Sequence, residues 1–357
     1  MNTSETVGRS PTVRDRFVGA DRLAPAFHSK IPGCAWALWF DQHGVAHPGL
    51  PDKSPAANFS WLHFDRTDVR VSSALLSIEG LDDEDVREAL IGQIDHQYVE
   101  VVDKIIYGAI IDHETTFEGR NYETDFLRFA FSGSIIVTSR RKPLQSAEAV
   151  RSRIATGAKV HSPLALFDML ATSVCDCVAK MNREIAHDLD KIEDRVIFDD
   201  SGRAQRAPLG KARREAVRLA RQIGGIHATI EHLVEVAQEN EEDELEEVAT
   251  ALRQLGDSLT RDVSNLQDRA RALQEEVNAI LTLETNDRLF MLTIITTLIL
   301  PATFVTGFFG MNTRNLFFSE NDNGTLWAAL LCVLASALAL VVLRSLGFAR
   351  PAPASRQ

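Results

Sequence analysis

The sequence has little of what secreted proteins depend on. It contains four cysteines in 357 residues, too few for a disulfide framework, and this favours a reducing, cytosolic compartment. The opening stretch MNTSETVGRSPTVRDR has no apolar core of the kind that signal peptides carry, so we expect no secretory leader. Residues 1–30 are polar and contain Pro, Ser and Arg, and we expect them to be disordered.

Sequence motifs of common catalytic sites are also missing. We find no P-loop, no G-x-S-x-G, no H-E-x-x-H and no Cys-x-x-Cys. Cys175 and Cys177 lie two residues apart on a predicted helix, where their thiols would point about 200° apart, a poor arrangement for sharing a metal ion. We therefore predict no cofactor and do not expect an enzyme.

Positive charge is in deficit. The chain has 38 Lys and Arg against 50 Asp and Glu, a formal net charge of -12. Nucleic acid is therefore not expected as a partner, whereas cations are. The charge is unevenly spread, because residues 240–288 are dense in it and residues 289–343 are nearly free of it. An acidic run at 239–244 is interpreted as a solvated turn, with a cation-attracting patch as the alternative.

Two runs near the end of the chain lack charge altogether. Residues 289–311 and 324–343 are both long enough for the roughly 20 apolar residues that a membrane-spanning helix needs. The alternative, two buried core helices of a soluble domain, is disfavoured because soluble helices of this length usually show a polar face. We predict two transmembrane helices with the lipid bilayer as their partner.

The orientation of the two spans follows from positive charge. Three arginines fall in the tail 344–357, whereas the connection 312–323 carries one arginine against Glu320 and Asp322. Lys and Arg favour the cytoplasmic side of a membrane. We therefore expect a bacterial-type inner membrane protein with both termini in the cytoplasm and an extracytoplasmic loop at 312–323.

A regular apolar stripe precedes the first span. Its steps of three and four residues predict one helix over 244–311, a stalk of about 100 Å that continues into the membrane. The stripe is narrow and so requires partner helices, either from a helical hairpin within 163–243 or from identical subunits. Its members are Val248, Leu252, Leu255, Leu259, Val263, Leu266, Ala270, Leu273, Val277 and Ile280.

Residues 31–162 mix strands and short helices. Segments rich in Val, Ile, Phe and Trp predict strands at 34–40, 60–64, 104–111, 125–131 and 134–139, and acids at the start of 82–92 predict a helix. The predicted fold class is thus a membrane protein in which an N-terminal α/β cytosolic domain is followed by long α-helices and two C-terminal transmembrane helices.

The first span ends on Gly310-Met311-Asn312. The order of features resembles the CorA family of divalent metal ion transporters over essentially the whole chain. These features are an α/β domain, a long helix that enters the membrane, this tripeptide at its outer end, a short loop and a second span. The stretch LILPATFVTGFFGMN is most similar to the ZntB zinc transporter branch, but here the Gly-Met-Asn motif is intact.

The resemblance implies a homopentamer with a CorA-like funnel, in which the first span lines a central pore. Gly310, Met311 and Asn312 would select the ion, and Asn312 would contact the metal through its hydration shell. Glu320 and Asp322 would attract cations to the outer loop. The family's pore-lining pattern falls on a set that we call the predicted pore face: Leu289, Leu292, Thr296, Leu300, Thr303 and Gly307.

We therefore expect a pentameric transporter or channel whose substrate is Zn²⁺ or Mg²⁺, with Co²⁺ and Ni²⁺ as further candidates. Channel and proton-coupled mechanisms stay open, as do the gating ligand and the direction of flux. The alternative from another class is a two-span membrane-anchored signalling or sensor protein that uses the long helix as a coiled-coil rod. Its outer loop of about 12 residues would make a poor sensor.

Overall fold

The structure is a computed structural model that describes residues 31–51, 57–76, 78, 81, 83–115, 123–199, 202–311 and 323–345. These residues form two compact units. The first contains the described residues up to 199 together with 207–273, and the second contains 202–206 together with 274–345. One long helix contributes residues to both units.

The first unit contains a seven-stranded sheet with the strand order β2-β1-β3-β7-β6-β5-β4. Neighbouring strands are antiparallel except β3 and β7, which run parallel. All five predicted strands are present; the short strands β2 and β4 at the two edges were not predicted. The strands are β1 Cys34–Asp41, β2 Ala46–Pro48, β3 Ala57–Asp65, β4 Tyr98–Val102, β5 Ile105–His113, β6 Thr124–Phe131 and β7 Ile135–Arg140.

Helices cover both faces of the sheet. Two short helices, α1 (Val71–Leu75) and α2 (Glu84–Ile91), bury their apolar side chains on one face. Two others, α3 (Gln145–Ala155) and α4 (Pro163–Asp199), cover the opposite face, where Phe167 of α4 packs against Phe129 and Phe131. Alternating residues of each strand therefore enter two separate apolar layers, which is how a sheet between helices is stabilised.

Two further helices, α5 (Gly202–Glu239) and α6 (Asp243–Phe309), follow α4, and α7 (Gly324–Ser345) ends the described chain. The continuous stalk helix predicted from the apolar stripe is confirmed. In the first unit, α6 is joined to α4 through Arg269, which forms ion pairs with Asp190 and Glu193, and to α5 through His227 and Asp257, 2.7 Å apart.

The buried stripe of α6 differs from the predicted one near its start and at its end, where Ile280 is only half-buried. Ala249 and Gly256 are buried, whereas Val248 and Leu255 are only half-buried. The small residues allow a close approach, since a Cβ at Gly256 would lie 3.5 Å from the His227 ring. The true stripe alternates steps of three and four without a break: Leu245, Ala249, Leu252, Gly256, Leu259, Val263, Leu266, Ala270, Leu273 and Val277.

A buried histidine sits between two strands of the first unit. His63 is stacked on Trp36, with ring centroids 3.8 Å apart. Arg140 Nε donates to His63 Nε2 at 3.0 Å, so the ring proton is on Nδ1 and is donated to Thr138 Oγ1 at 2.7 Å. Burial, together with the charges of Arg140 and Arg151, holds the pKa of His63 well below its usual range. The ring is therefore neutral in the folded protein.

Acidification is expected to destabilise the first unit. Below about pH 6.5 the unfolded chain protonates His63 while the folded chain does not, so stability is full above that pH and is lost as pH falls. His113 acts with the same sign, because burial lowers its pKa to about 4. Asp112 acts oppositely below about pH 6, because burial raises its pKa to about 6. The destabilisation caused by the two histidines exceeds the stabilisation from Asp112. The free energy of unfolding should therefore be about 2–3 kcal/mol lower near pH 5 than near pH 7.5.

The measurement is chemical unfolding at both pH values followed by tryptophan fluorescence, since Trp36 stacks on His63. The His63→Gln variant is the control. It should be less stable than the wild type at neutral pH and should show a smaller loss on acidification. An equal acid loss in both proteins would show that His63 is not responsible.

Candidate functional site

The second unit contains two long apolar helices that have almost no protein packed against them. The apolar part of α6 and the whole of α7 are long and apolar enough to cross a membrane, and both are exposed along nearly their entire length. Leu300 and Phe304, for example, are 67% and 75% exposed. Apolar surface of this extent marks contact with a membrane or with other protein. The described structure thus does not contain these helices as a buried core.

The two helices contact each other near the proline of the first span. Ser336 Oγ of α7 donates to the carbonyl oxygen of Leu298 at 2.9 Å, and Cys332 Sγ lies 3.8 Å from the carbonyl oxygen of Ala302. Pro301 lacks an N–H and weakens the helix ladder at this turn. The carbonyl that Pro301 leaves without a helical donor is that of Thr297, one residue before the Leu298 carbonyl that Ser336 bonds. This contact fixes which face of α6 turns toward α7.

The predicted pore face lies on the other side of α6. At about 100° of rotation per residue, Leu298, Ala302 and Val305 share one direction, and the mean direction of the predicted pore face is about 155° away from it. All six of its residues are exposed in the single chain. The structure therefore brings them together on one face that a neighbouring copy or a water-filled space can reach. That this face lines a pore stays a prediction.

The chemistry of this face alternates between apolar and hydrogen-bond accepting. The face has three leucines and two threonines, and both threonine hydroxyls bond back to their own helix: Thr296 Oγ1 to the Leu292 carbonyl at 2.8 Å, and Thr303 Oγ1 to the Ile299 carbonyl at 3.0 Å. Each hydroxyl uses its single proton in this bond, and its oxygen lone pairs remain available as acceptors. Such oxygens can accept hydrogen bonds from water bound to a cation. Gly307 adds no side chain, and a Cβ there would meet open space.

The end of the first span is described only in part. The Gly310 N–H bonds the Thr306 carbonyl at 2.9 Å, and the Met311 N–H bonds the Phe308 carbonyl at 3.4 Å. A Cβ at Gly310 would lie 3.0 Å from the Thr306 oxygen, so a glycine suits this turn. Asn312, Glu320 and Asp322 lie outside the described residues.

Among the described residues there is no group of three or more His, Cys, Asp or Glu side chains arranged to hold a metal ion. Burial raises the pKa of Cys175 and of Cys177 to about 12, so both thiols stay protonated and are poor ligands. In the charge-free part of α6, residues 289–309, the oxygen ligands available are neutral hydroxyl and carbonyl groups. Sequence reasoning did not assign a role to Ser336, although it is one of the few polar residues of the second run.

Comparison with known proteins gives a curated relative of part of the chain. The divalent cation transporter CmaX of Pseudomonas aeruginosa is 25% identical over 201 residues, which is 56% of this chain and 59% of that protein. The match thus spans less than two thirds of that relative.

Solved structures share the fold over more of the chain. A full-length CmaX protein superposes with a TM-score of 0.73 at 21% identity, covering 88% of this chain and 98% of that one. The complete CorA magnesium transporter from Methanocaldococcus jannaschii superposes with a TM-score of 0.68 at 15% identity, covering 86% and 97%. The predicted fold class is confirmed by these two likenesses.

A family model described as CorA-like Mg²⁺ transporter protein matches residues 56–345. This match runs from the sheet through both candidate membrane spans, and it agrees with the family predicted from the order of features and the Gly-Met-Asn motif. Since it covers most of the sequence, this chain belongs to the CorA-like Mg²⁺ transporter family.

Proposed function

We propose that this protein transports divalent metal cations across the inner membrane, along a pathway lined by the predicted pore face of α6. The observation that supports the proposal is that α6 has two opposite faces with different surroundings. One face holds α7 through Ser336, and the other presents leucines and hydroxyl acceptors with no cover from the described chain. Family membership gives the cargo class, and it agrees with the expectation that the chain is not an enzyme.

The lining of the pathway requires several copies of the chain. One helix face cannot surround an ion, whereas a ring of identical helices can, and closed rotational symmetry is the usual arrangement of identical subunits. We infer a homopentamer in which α6 forms the inner ring and α7 faces lipid. Both termini then lie in the cytoplasm, with the connection 312–323 outside.

Ion selection is assigned to the outer mouth. Five Asn312 side chains would present amide oxygens that accept hydrogen bonds from the water shell of the ion, with Gly310 and Met311 beside them. Mg²⁺ gives up its water reluctantly, so recognition of the hydrated ion avoids the free-energy cost of removing that water. Glu320 and Asp322 would raise the local cation concentration. Mg²⁺ and Zn²⁺ are the proposed substrates, with Co²⁺ and Ni²⁺ as further candidates.

Gating is assigned to the leucines of the predicted pore face. Rings of Leu289, Leu292 and Leu300 would exclude water from a narrow passage and so oppose the entry of a hydrated ion. The threonine rings at 296 and 303 would offer oxygen acceptors between and beyond them. A small outward rotation of α6 would then admit the ion without breaking any covalent or metal–ligand bond.

The direct test is cation flux into liposomes that contain the purified full-length protein and a trapped metal-sensitive dye. Mg²⁺, Zn²⁺, Co²⁺ and Ni²⁺ are compared with K⁺, each with and without a pH gradient at fixed membrane potential. Saturable uptake of one or more divalent cations is expected. Dependence on the pH gradient would assign proton coupling, and its absence a channel. Flux no greater than in protein-free liposomes would overturn the proposal and favour the two-span signalling alternative.

A further inference from the structure

The first unit contains a cavity that the proposed transport function does not use. Its volume is about 230 Å³, somewhat below the roughly 300–1,000 Å³ of most small-ligand pockets, which suits a small molecule. It lies where strands β5 and β6 meet helices α4 and α5. We call it the His113 cavity; the lining residues used below are His113, Glu215, Arg218, Arg221 and Gln222.

Two buried polar side chains line the inner part of the His113 cavity. His113 is 2% exposed and Gln222 is 7% exposed. Gln222 Nε2 lies 3.5 Å from His113 Nδ1, so the amide donates to the ring and the ring proton sits on Nε2. Burial lowers the pKa of His113 to about 4, which keeps the ring neutral at physiological pH. Within the described part of the chain, neither His113 Nε2 nor Gln222 Oε1 has a hydrogen-bond partner.

Neither atom is enclosed by protein, so both open onto the cavity. A free N–H donor and a free carbonyl oxygen, both on nearly buried side chains, face a space large enough for a ligand. A ligand that enters the cavity can complete both hydrogen bonds in place of water.

The rim of the His113 cavity is charged and only partly paired. Arg218 and Arg221 have no carboxylate within ion-pairing distance among the residues that the structure describes. Glu215 lines the same space and has Lys211 at 3.8 Å. Residues 215, 218 and 222 recur at steps of three and four, so one face of α5 supplies most of these groups. Two guanidinium groups and one carboxylate thus line the rim of the cavity, and its interior offers one uncharged hydrogen-bond donor and one acceptor.

We propose that the His113 cavity binds a small phosphorylated polyol. The phosphate would lie against Arg218 and Arg221, whose two charges match a phosphate dianion and whose planar donors suit its oxygens. The hydroxyl groups would donate to Glu215 and Gln222 and accept from His113. A simple inorganic anion would leave the inner pair and Glu215 unused and should bind less tightly.

Binding at this place would strengthen the attachment of α5 to the sheet. Gln97 already joins the two, since its Nε2 donates to the Gln222 carbonyl at 3.2 Å and its Oε1 accepts from the Ile111 N–H at 3.0 Å. A Cβ at Gly225 would lie 2.1 Å from Gln97 Nε2, so a larger residue there would displace the end of that side chain. A ligand that bridges β5 and α5 binds only the folded arrangement and therefore raises the unfolding temperature.

The test uses the full-length protein in detergent, in buffer without phosphate or divalent metal, and glycerol phosphate, inorganic phosphate and glycerol as the probes. Calorimetry and thermal unfolding are measured for each. We expect saturable binding of glycerol phosphate with a rise in unfolding temperature, binding of inorganic phosphate at least about tenfold weaker, and none for glycerol.

Variants separate the site from general charge effects. The Arg218→Gln/Arg221→Gln double variant should weaken glycerol phosphate binding at least about tenfold, whereas Arg213→Gln/Arg214→Gln, which removes the same charge from the same exposed helix outside the cavity, should not. Glu215→Gln should reduce the preference for glycerol phosphate over inorganic phosphate. The proposal is overturned if neither anion binds at millimolar concentration, if both double variants weaken binding equally, or if glycerol phosphate binds no better than inorganic phosphate.

Discussion

Replacement of Asn312 by alanine is expected to abolish uptake of divalent cations, with a loss of at least about 100-fold in flux. In a pentamer this one substitution removes five amide oxygens from the mouth of the pathway. Each would accept a hydrogen bond from the polarised water of the ion, and such charge-assisted bonds contribute about 1.5–3 kcal/mol apiece. The alanine side chain offers no acceptor, so the hydrated ion would lose its only specific binding position at the entrance. Flux into dye-loaded liposomes is the measurement.

Two further variants make this result specific. Asn312→Asp keeps the oxygen acceptors but adds charge, and should bind the cation more tightly while it lowers the maximal flux through slow release. Asn323→Ala removes an exposed amide at the start of α7 and should change flux by less than about twofold. The variants must retain the oligomeric mass of the wild type in detergent. Near-normal flux in Asn312→Ala would contradict the assignment of the mouth.

Replacement of Leu300 or Leu292 by asparagine is expected to have the second largest effect, and in the opposite direction. Both leucines are exposed on the predicted pore face. A ring of leucines closes a narrow passage because water does not fill a narrow apolar constriction. Asparagine amides would wet the ring and lower the barrier by about 1.4–3 kcal/mol, which corresponds to roughly 10–100 times more flux in the resting state. Resting cation leak in liposomes is the measurement.

The matched control is Leu338→Asn in α7. Leu338 is as exposed as Leu300, at 65% against 67%. It lies about 200° around α7 from Ser336, and so on the side away from α6. A polar residue there should lower the yield of folded protein in lipid and leave the leak unchanged. If Leu338→Asn and Leu300→Asn raised the leak equally, the effect would reflect general damage to the membrane helices.

The local pattern of apolar residues was sufficient to predict most of the helices and strands. The strands at the centre of the sheet, α4, the continuous α6 and α7 were all predicted from apolar periodicity and length. The two edge strands were missed, since β2 has three residues and β4 has the mixed pattern YVEVV. Within the predicted helical hairpin 163–243, the start of α5 at Gly202 has no local signal, because Pro208 and a run of polar residues obscure its first turns. These errors share a cause: short or polar segments are ordered by neighbours that the local sequence does not reveal.

The buried stripe of α6 shows the same limit at single residues. Val248 and Leu255 are larger and more apolar than Ala249 and Gly256, so a search for bulky residues selects the wrong pair. The packing selects the small pair, because α5 approaches closely at Gly256. Burial depends on the distance between helices as well as on hydrophobicity.

For this protein, the sequence alone was enough to predict two candidate membrane spans, the family and a selectivity motif, because charge-free length and a tripeptide at a fixed place are local properties of a chain. Only the tertiary structure decided which face of α6 is occupied by α7, through Ser336 and Cys332, and so which face stays exposed. It alone brought His113 of a strand to Gln222 of a helix more than a hundred residues later. Contacts between distant segments depend on how packed layers meet, and periodicity along the chain does not contain that information.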